Sequence, residues 1–430
     1  MNYLLKQIIR EWRFMLSQRY VLALLLCGFL ISGFAVYTGL SEVSQQRETI
    51  ERLKLADELD REEAQAKYNA PGMLAYYTFH LTYSEPSNLA FAALGERDIY
   101  PWKHRVRMLA LEGQIYESDS QNAELAQAGK IDFVFVISAL SPLFIILLFH
   151  DLIASERSSG RHDLLVTTAK SKYALWGSRG FVRFVSIFVC LLIPFYIGAL
   201  ISGTEVSAIL LISLWCLLYL AFWALLSVYL GKKVASAPRI ASGLIACWVL
   251  LAFVIPIISD LFINSSVNSP KGGDILMVQR EAVNDAWDLP VSETMSAFGK
   301  THPEYSAYQH SGDGFDWGWY YAFQQVGDQA AETLSNEYRV AAQIKREYAA
   351  YATFLSPPLL LQRKMTRLAK TDALAAFEYE RQIRDFHKQL RLVHYPWLFG
   401  NKTFEKSQLS LLPHFNTLTN QNKRVQHEQK

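Results

Sequence analysis

The chain has 430 residues, of which 51% are hydrophobic and 19% charged, and its formal net charge is +2. These averages exclude a disordered tail, a collagen-like repeat and a strongly basic nucleic-acid binder, so no nucleic-acid partner is expected. They do not exclude a membrane protein, because an average hides segregation, and the apolar residues here are segregated into runs.

The first pattern lies in residues 1–19. Leu4, Leu5, Ile8, Ile9, Trp12 and Leu16 recur every three to four residues, with Lys6, Arg10 and Arg13 between them. This predicts a basic amphipathic helix along a membrane surface. It serves either as a simple anchor or as an elbow that grips a neighbouring subunit.

Five charge-free runs follow, at residues 21–40, 133–149, 184–203, 206–231 and 240–259. A helix needs about 20 apolar residues to cross a hydrocarbon core of roughly 30 Å. The second run reaches that length only with Ile131 and Asp132. The expected fold class is mainly α: a polytopic membrane protein with transmembrane helices at 20–40 and 131–150 and three more in 181–263. Two large extracytoplasmic segments, 41–130 and 264–430, complete it, the second α-rich. The first run is too long for the h-region of a cleaved signal, which takes about 7–15 residues. Cys27, Cys190, Cys216 and Cys247 all fall in predicted spans and read as small buried apolar residues rather than a disulfide framework.

Charge sets the orientation. The N-terminal segment, the 151–183 loop and the 231–239 turn together hold thirteen Lys and Arg against Glu11, Asp151, Glu156 and Asp163. Segment 41–130 holds ten basic and fifteen acidic residues. By the positive-inside rule the N-terminus is cytoplasmic, both long segments are outside, and five spans leave the C-terminus outside.

Segment 41–130 opens with a charged, loosely periodic stretch, in which Val43, Ile50, Leu53, Leu59 and Ala64 suggest a helical stalk continuing the first span. An aromatic patch, Tyr76, Tyr77, Phe79, Tyr83 and Phe91, reads as core. A further helix is expected around 106–128, and Glu117 and Asp119 read as part of a solvated turn. In segment 264–430, turn-rich stretches at 264–274 and 310–318 precede helical patterns at 320–351 and 362–392. In the later one, Ala376, Tyr379, Ile383, Phe386 and Leu390 step by threes and fours as one apolar stripe.

Chemistry-bearing motifs are sparse. Gly299-Lys300-Thr301 has Thr294 where a phosphate loop needs its first glycine. The histidines of the two long segments lack the close spacing of a helical metal pair, although His387 and His394, seven apart, could share a helix face. No metal, cofactor or catalytic residue is expected. Pro142, Pro194 and Pro256 fall within spans and are expected to kink them.

The 151–180 loop is the most informative stretch. It contains Ile153, Glu156, Gly160, Leu164 and Leu165 in the order Ile-x-x-Glu-x-x-x-Gly with a following Leu-Leu pair. A short amphipathic helix here offers leucines to a soluble partner, or rests them on the membrane surface. In this loop the chain resembles permeases of the ABC type-2 transporter family. The resemblance implies a coupling helix that docks on a separate cytoplasmic ABC ATPase, with Ile153, Glu156, Gly160, Leu164 and Leu165 as the docking loop. Arg161 stands where the family often has Thr, and Lys170-Ser171-Lys172 replaces the usual ending.

One branch of these permeases has large extracytoplasmic insertions, the second with a Leu-Ser-Pro-x-Leu-Leu-Leu-Gln stretch and then a Tyr-Pro-x-Leu-Phe stretch. Residues 355–362 (LSPPLLLQ) and 395–399 (YPWLF) are similar to these. The chain also resembles, more distantly, the permease serving nitrous-oxide-reductase maturation. Branch members usually return through a sixth span, whereas this chain ends in a polar stretch. The resemblance implies a bacterial inner-membrane permease with no catalytic site of its own. Its partners would be an ATPase, a second permease copy or paralogue, and the lipid bilayer. Two other readings stand beside it: a mechanical subunit acting on a periplasmic protein without transport, and a membrane-anchored enzyme or receptor.

Overall fold

The computed structural model describes residues 3–117, 131–233, 236–310, 314–400 and 402–415. Helix α1 (Tyr3–Leu16) precedes the long α2 (Arg19–Lys67), followed by α3 (Pro71–Tyr77), strands β1 (His80–Tyr83) and β2 (Lys103–Val106), and α4 (Leu111–Tyr116). Next come α5 (Phe133–Ser158), α6 (His162–Thr168), α7 (Lys172–Ser202), α8 (Val206–Lys233) and α9 (Ala237–Ser266). The last third contains α10 (Gly272–Asp285), α11 (Val291–Gly299), α12 (Trp317–Leu355), α13 (Pro357–Ala369) and α14 (Ala373–Leu398). Five helices, α2, α5, α7, α8 and α9, are long and apolar enough to cross a membrane. Among the described residues the chain is therefore mainly helical with five span-like helices, as its apolar runs predict.

Helix α2 has 49 residues, about 73 Å at 1.5 Å per residue. No proline interrupts it, so the apolar run passes directly into the charged stretch. Its buried positions include Val21, Leu25, Gly28, Ser32, Ala35 and Gly39, then Val43, Gln46, Ile50, Asp57 and Ala64. The stalk stripe thus uses Gln46 and Asp57, while Leu59 of the expected stripe is 65% exposed. The reason is polar pairing: Asp57 accepts a hydrogen bond from the Leu81 N–H at 2.8 Å and pairs with Arg61.

Small residues let α2 approach its neighbours closely. Gly28 packs on Ile187 and Leu191 of α7, and Ser32 Oγ donates to the Leu191 carbonyl at 2.6 Å. Gly39 lies directly against the Phe91 backbone. The expected aromatic patch therefore divides. Phe91 belongs to the bundle, stacked on Phe195, while Tyr83 joins the polar domain and Tyr76 and Phe79 lie under Arg107.

The two long polar segments build one body. Ile50, Leu74, Leu81, Tyr83 and Val106 share a core with Phe298, Tyr321, Ile383, Phe386 and Leu390. Strands β1 and β2 pair antiparallel, His80 opposite Val106 and Tyr83 opposite Lys103. Ion pairs tie the segments together. Arg384 holds Glu112 through two bonds of 2.8 and 2.9 Å, and Arg391 pairs with Asp328, which also accepts the Leu111 and Glu112 N–H groups.

The expected helix at 362–392 is two helices. Lys370 takes a left-handed conformation (φ 54°), and Asp372 caps α14 by accepting from the Ala375 N–H. Tyr379, Ile383, Phe386 and Leu390 of the expected stripe are buried, as predicted. Of the expected helix around 106–128, α4 is the observed part, and residues 118–130, with Asp119, lie outside the described residues. Pro142 and Pro256 sit just after π-helical turns, Val136–Leu140 and Leu250–Val254.

Helix α13 also joins the bundle. Its Leu361, Met365 and Ala369 are buried with Phe91, Phe195 and Trp223. Ser356, between α12 and α13, donates to the Leu251 carbonyl of α9 at 2.6 Å.

A Cβ at Gly39 would collide with the Phe91 carbonyl, whereas one at Gly33 meets nothing within 4 Å. Gly39→Ala is therefore expected to destabilise by about 1–3 kcal/mol. Gly33→Ala should be neutral or gain up to about 1 kcal/mol from helix propensity. Thermal unfolding of the two purified variants in detergent checks both.

Candidate docking surface at the basic end of the bundle

The 151–180 loop begins as a continuation of α5. Ile153 and Ala154 are buried, and the Glu156 side chain is turned inward at 8% exposure. Gly160 then reverses the chain with φ 70°, a conformation that suits glycine, and nothing surrounds its α-carbon side. The reversal starts α6, a two-turn helix. Leu164 on it is 64% exposed, while Leu165 and Val166 are half-buried. His162 stacks on Trp176 of α7 at 5.8 Å, which seats α6 against the bundle.

The five predicted residues thus divide by role. Ile153 and Glu156 anchor the loop. Gly160 turns it. Leu164 is presented to solvent, and Leu165 lies between the two.

Glu156 is the anchor's centre. Its Oε2 accepts from Arg161 Nε and its Oε1 from Arg179 Nη1, both at 2.9 Å. Arg179, near the start of α7, donates its Nε to Glu11 of α1 at 2.9 Å. All three of Glu11, Glu156 and Arg179 are at most 9% exposed by side chain. One guanidinium therefore bridges α1, the loop and α7. Phe14 and Trp176 cover its faces at 5.3 and 5.2 Å. A second brace lies nearby: Arg183 Nη1 donates to Asp151 at 2.9 Å and also to the Leu148 carbonyl.

Sequence reasoning missed Glu11, Arg179, Asp151 and Arg183, which entered it only as charges to be counted. The usable signal was the lone acid in an otherwise basic amphipathic helix. The face of α1 is likewise instructive. Gln7, Glu11 and Met15 are the buried residues, and Leu4, Leu5, Ile9, Trp12 and Leu16 point away from the protein. The apolar stripe is free to meet lipid, as an interfacial helix requires.

The remaining motifs do not form sites. Gly299-Lys300-Thr301 closes α11, and the Thr301 hydroxyl accepts from Gln329 Nε2. His387 and His394 do share the buried face of α14, with His80 beside them. Among the described residues no group of three His, Cys, Asp or Glu side chains could hold a metal ion. His387 Nε2 meets the Arg107 carbonyl at 2.9 Å, and both ring nitrogens of His394 lack a partner among the described residues. Burial pushes His80 down to about 3 and His394 to about 4, and holds His387 well below its ordinary value.

Removing Arg179 takes from Glu11 and Glu156 the buried cation they share and leaves each with a more exposed partner, Arg10 and Arg161. Arg179→Met is expected to cost about 3–5 kcal/mol, and combining it with Glu11→Gln and Glu156→Gln should recover most of that. Denaturation midpoints of the single and triple variants check it. The histidines predict acid sensitivity. Their folded values lie below the unfolded value of about 6.5, so the folded state binds fewer protons, and stability present above that value is lost as pH falls. Burial raises Asp57, Asp328 and Glu380, which act in the opposite sense, so the test is a difference. Relative to the parent, His394→Leu should gain about 2 kcal/mol between pH 7 and pH 5, read from unfolding at the two pH values.

Residues 275–417 match a family model described as Domain of unknown function (DUF3526). The match runs from the first turn of α10 to beyond α14, so it covers most of the second polar segment, including the α12–α13 turn. No curated protein and no solved structure matches the chain.

Proposed function

We propose that the chain is the membrane-spanning permease subunit of an ATP-driven transporter of the ABC type-2 kind. In this reading a separate cytoplasmic ATPase docks on α6, and its cycle moves the bundle. A second permease copy or paralogue completes the assembly in the bacterial inner membrane. The basic end faces the cytoplasm and the polar domain faces outside, on the charge asymmetry of the loops. The observation that carries the reading is the loop itself. An exposed leucine stands on a short helix whose base is clamped by buried ion pairs to α1 and α7. A loose surface loop needs no such clamp, whereas a surface that receives force does.

A mechanical variant has its own support. Helix α2 runs unbroken from the bundle into the polar-domain core, so tilting the bundle would move that domain as a rigid body. Such a subunit would act on a periplasmic partner without a cargo crossing.

Leu164→Asp and Leu165→Asp place a charge on the docking face without touching Glu156 or Arg179. Co-purification of the cognate ATPase and the permease-dependent part of ATP hydrolysis should fall at least about tenfold. Unchanged association and activity would sink the docking assignment.

A further inference from the structure

We infer that Arg346, Arg363, Lys364 and Arg367 form a site for the phosphate headgroup of an anionic phospholipid, at the membrane boundary nearer the polar domain. The inference rests on the reading of α8 as a span and is independent of the ATPase assignment.

The cations are gathered without a counter-charge. Arg363 Nη1 of α13 stands 3.5 Å from the Arg346 carbonyl oxygen of α12. Arg367 lies one turn beyond Arg363 on the same face of α13, and Lys364 follows Arg363 directly. Arg346 and Arg367 both repel the Arg363 charge. Like charges four apart on a helix oppose its stability, so nothing in this grouping favours itself. None of the four has an ion pair with a carboxylate among the described residues. The acids at hand are engaged elsewhere. Asp372, which acts on Arg363, caps α14 by accepting from the Ala375 N–H. Glu347, beside Arg346, accepts from Gln343 Nε2 at 3.2 Å. By contrast, Arg179, Arg183, Arg384 and Arg391 each hold a carboxylate.

Depth identifies the missing anion. Lys364 Nζ lies 5.2 Å from the centre of the Trp215 ring on α8. The start of α8 is the end nearer the polar segments, since Gly203 and Thr204 just before it are bonded to Asn88. Trp215 is the tenth of the 28 residues of α8, about 13 Å from that start. Such a helix is about 42 Å long against a hydrocarbon core of about 30 Å, which leaves about 6 Å at each end outside. Trp215 is therefore within the hydrocarbon, and the ammonium over it stands at or beneath the headgroup boundary. A cation at that level calls for an anionic partner. Phospholipid phosphates are the anions that a bilayer supplies there.

The apolar half of such a ligand is provided for as well. Leu211 and Leu218 lie four residues before and three after Trp215, on its face of α8, and are 39% and 53% exposed. An acyl chain laid along them leaves its phosphate at the cations, whereas a free phosphate would leave both leucines bare.

The test uses the full-length chain purified in dodecyl maltoside. Dioctanoyl phosphatidylglycerol, dioctanoyl phosphatidylcholine and inorganic phosphate are titrated separately, and binding is read from the rise in melting temperature. Phosphatidylglycerol should raise it saturably and further than either of the others. Arg363→Gln with Arg367→Gln relieves repulsion, so the lipid-free melting temperature should hold or rise. The affinity for phosphatidylglycerol should fall at least about tenfold in that pair. Lys300→Gln with Lys388→Gln removes the same charge from exposed positions of the polar domain and should keep the parent affinity. An equal fall in both pairs would reduce the effect to net charge and overturn the site, as would an unchanged affinity in the Arg363→Gln, Arg367→Gln pair. A response to phosphatidylcholine or to inorganic phosphate equal to that of phosphatidylglycerol would overturn the anionic-lipid occupant. Should the double variant fail to fold, Arg367→Gln alone, at an exposed side chain, should weaken phosphatidylglycerol about fivefold. An unchanged affinity there overturns the site.

Discussion

The arrangement depends on the continuity of α2. Apart from Val36 beside Ala35, its buried residues step by threes, fours and sevens from Val21 to Ala64, a period close to 3.5. Because the helix never breaks, the face that packs on α7 and the face that enters the polar-domain core are the same face. The rotation of the polar domain about α2 is therefore set within the bundle. At the lower end the stripe is small, Gly28, Ser32 and Gly39, so that α7 and the Phe91 backbone come close. At the upper end it is polar as well as apolar, with Asp57 receiving the edge of β1. A proline or an inserted residue near position 45 would leave both halves locally sound and misaligned.

Arginine makes the ion pairs that join several segments far apart in sequence. Arg179 links α1 to the loop after α5, Arg384 links α14 to α4, and Arg391 links α14 to α12. Each is at most 15% exposed by side chain. Burying such a charge is costly, and pairing rarely yields a large net gain over apolar packing. What it supplies is direction. A planar guanidinium with two carboxylate partners accepts one geometry, whereas leucines in the same place would accept several. The cost of a broken partner is correspondingly high, which makes these contacts sensitive points in any moving part.

The sequence disclosed the elements that depend on local pattern and concealed those that depend on meeting. Five apolar runs are five span-like helices, because hydrocarbon length is a local property. The stripe from Tyr379 to Leu390 is buried for the same reason. The α1 stripe was legible but not its direction: periodicity shows two faces, and only Arg179, 168 residues away, decides that Glu11 faces inward. The break at Lys370 carries no glycine or proline, and the capping Asp372 is an ordinary residue in a polar stretch. The union of the two long segments rests on pairs such as Glu112 with Arg384, which no spacing rule connects. In the candidate docking loop the motif residues were visible, while the clamp that holds them was not.

The two ends of the molecule are connected by more than α2. Helix α12 is a 39-residue rod, about 58 Å long. Its first turns, with Trp319, Tyr321 and Phe323, are buried in the polar domain, and its last residue precedes the serine bonded to α9. Helix α13 then returns past both π-helical turns of the bundle, in α5 and α9. A π-turn leaves a helix locally loose, because one residue is inserted into its hydrogen-bond ladder. The α12–α13 turn thus rests on the two places where the spans can change shape at least expense. Under the proposed reading, force entering at α6 tilts α5 through Glu156 and Ile153, and the π-turn in α5 lies between that input and the α12–α13 turn. The polar domain would then be driven along two rods of different attachment, α2 and α12. A difference in their displacement would shear the Glu112–Arg384 contact between the two long segments. That contact, rather than the histidines or the Gly299–Thr301 turn, is where an opening of the polar domain would begin.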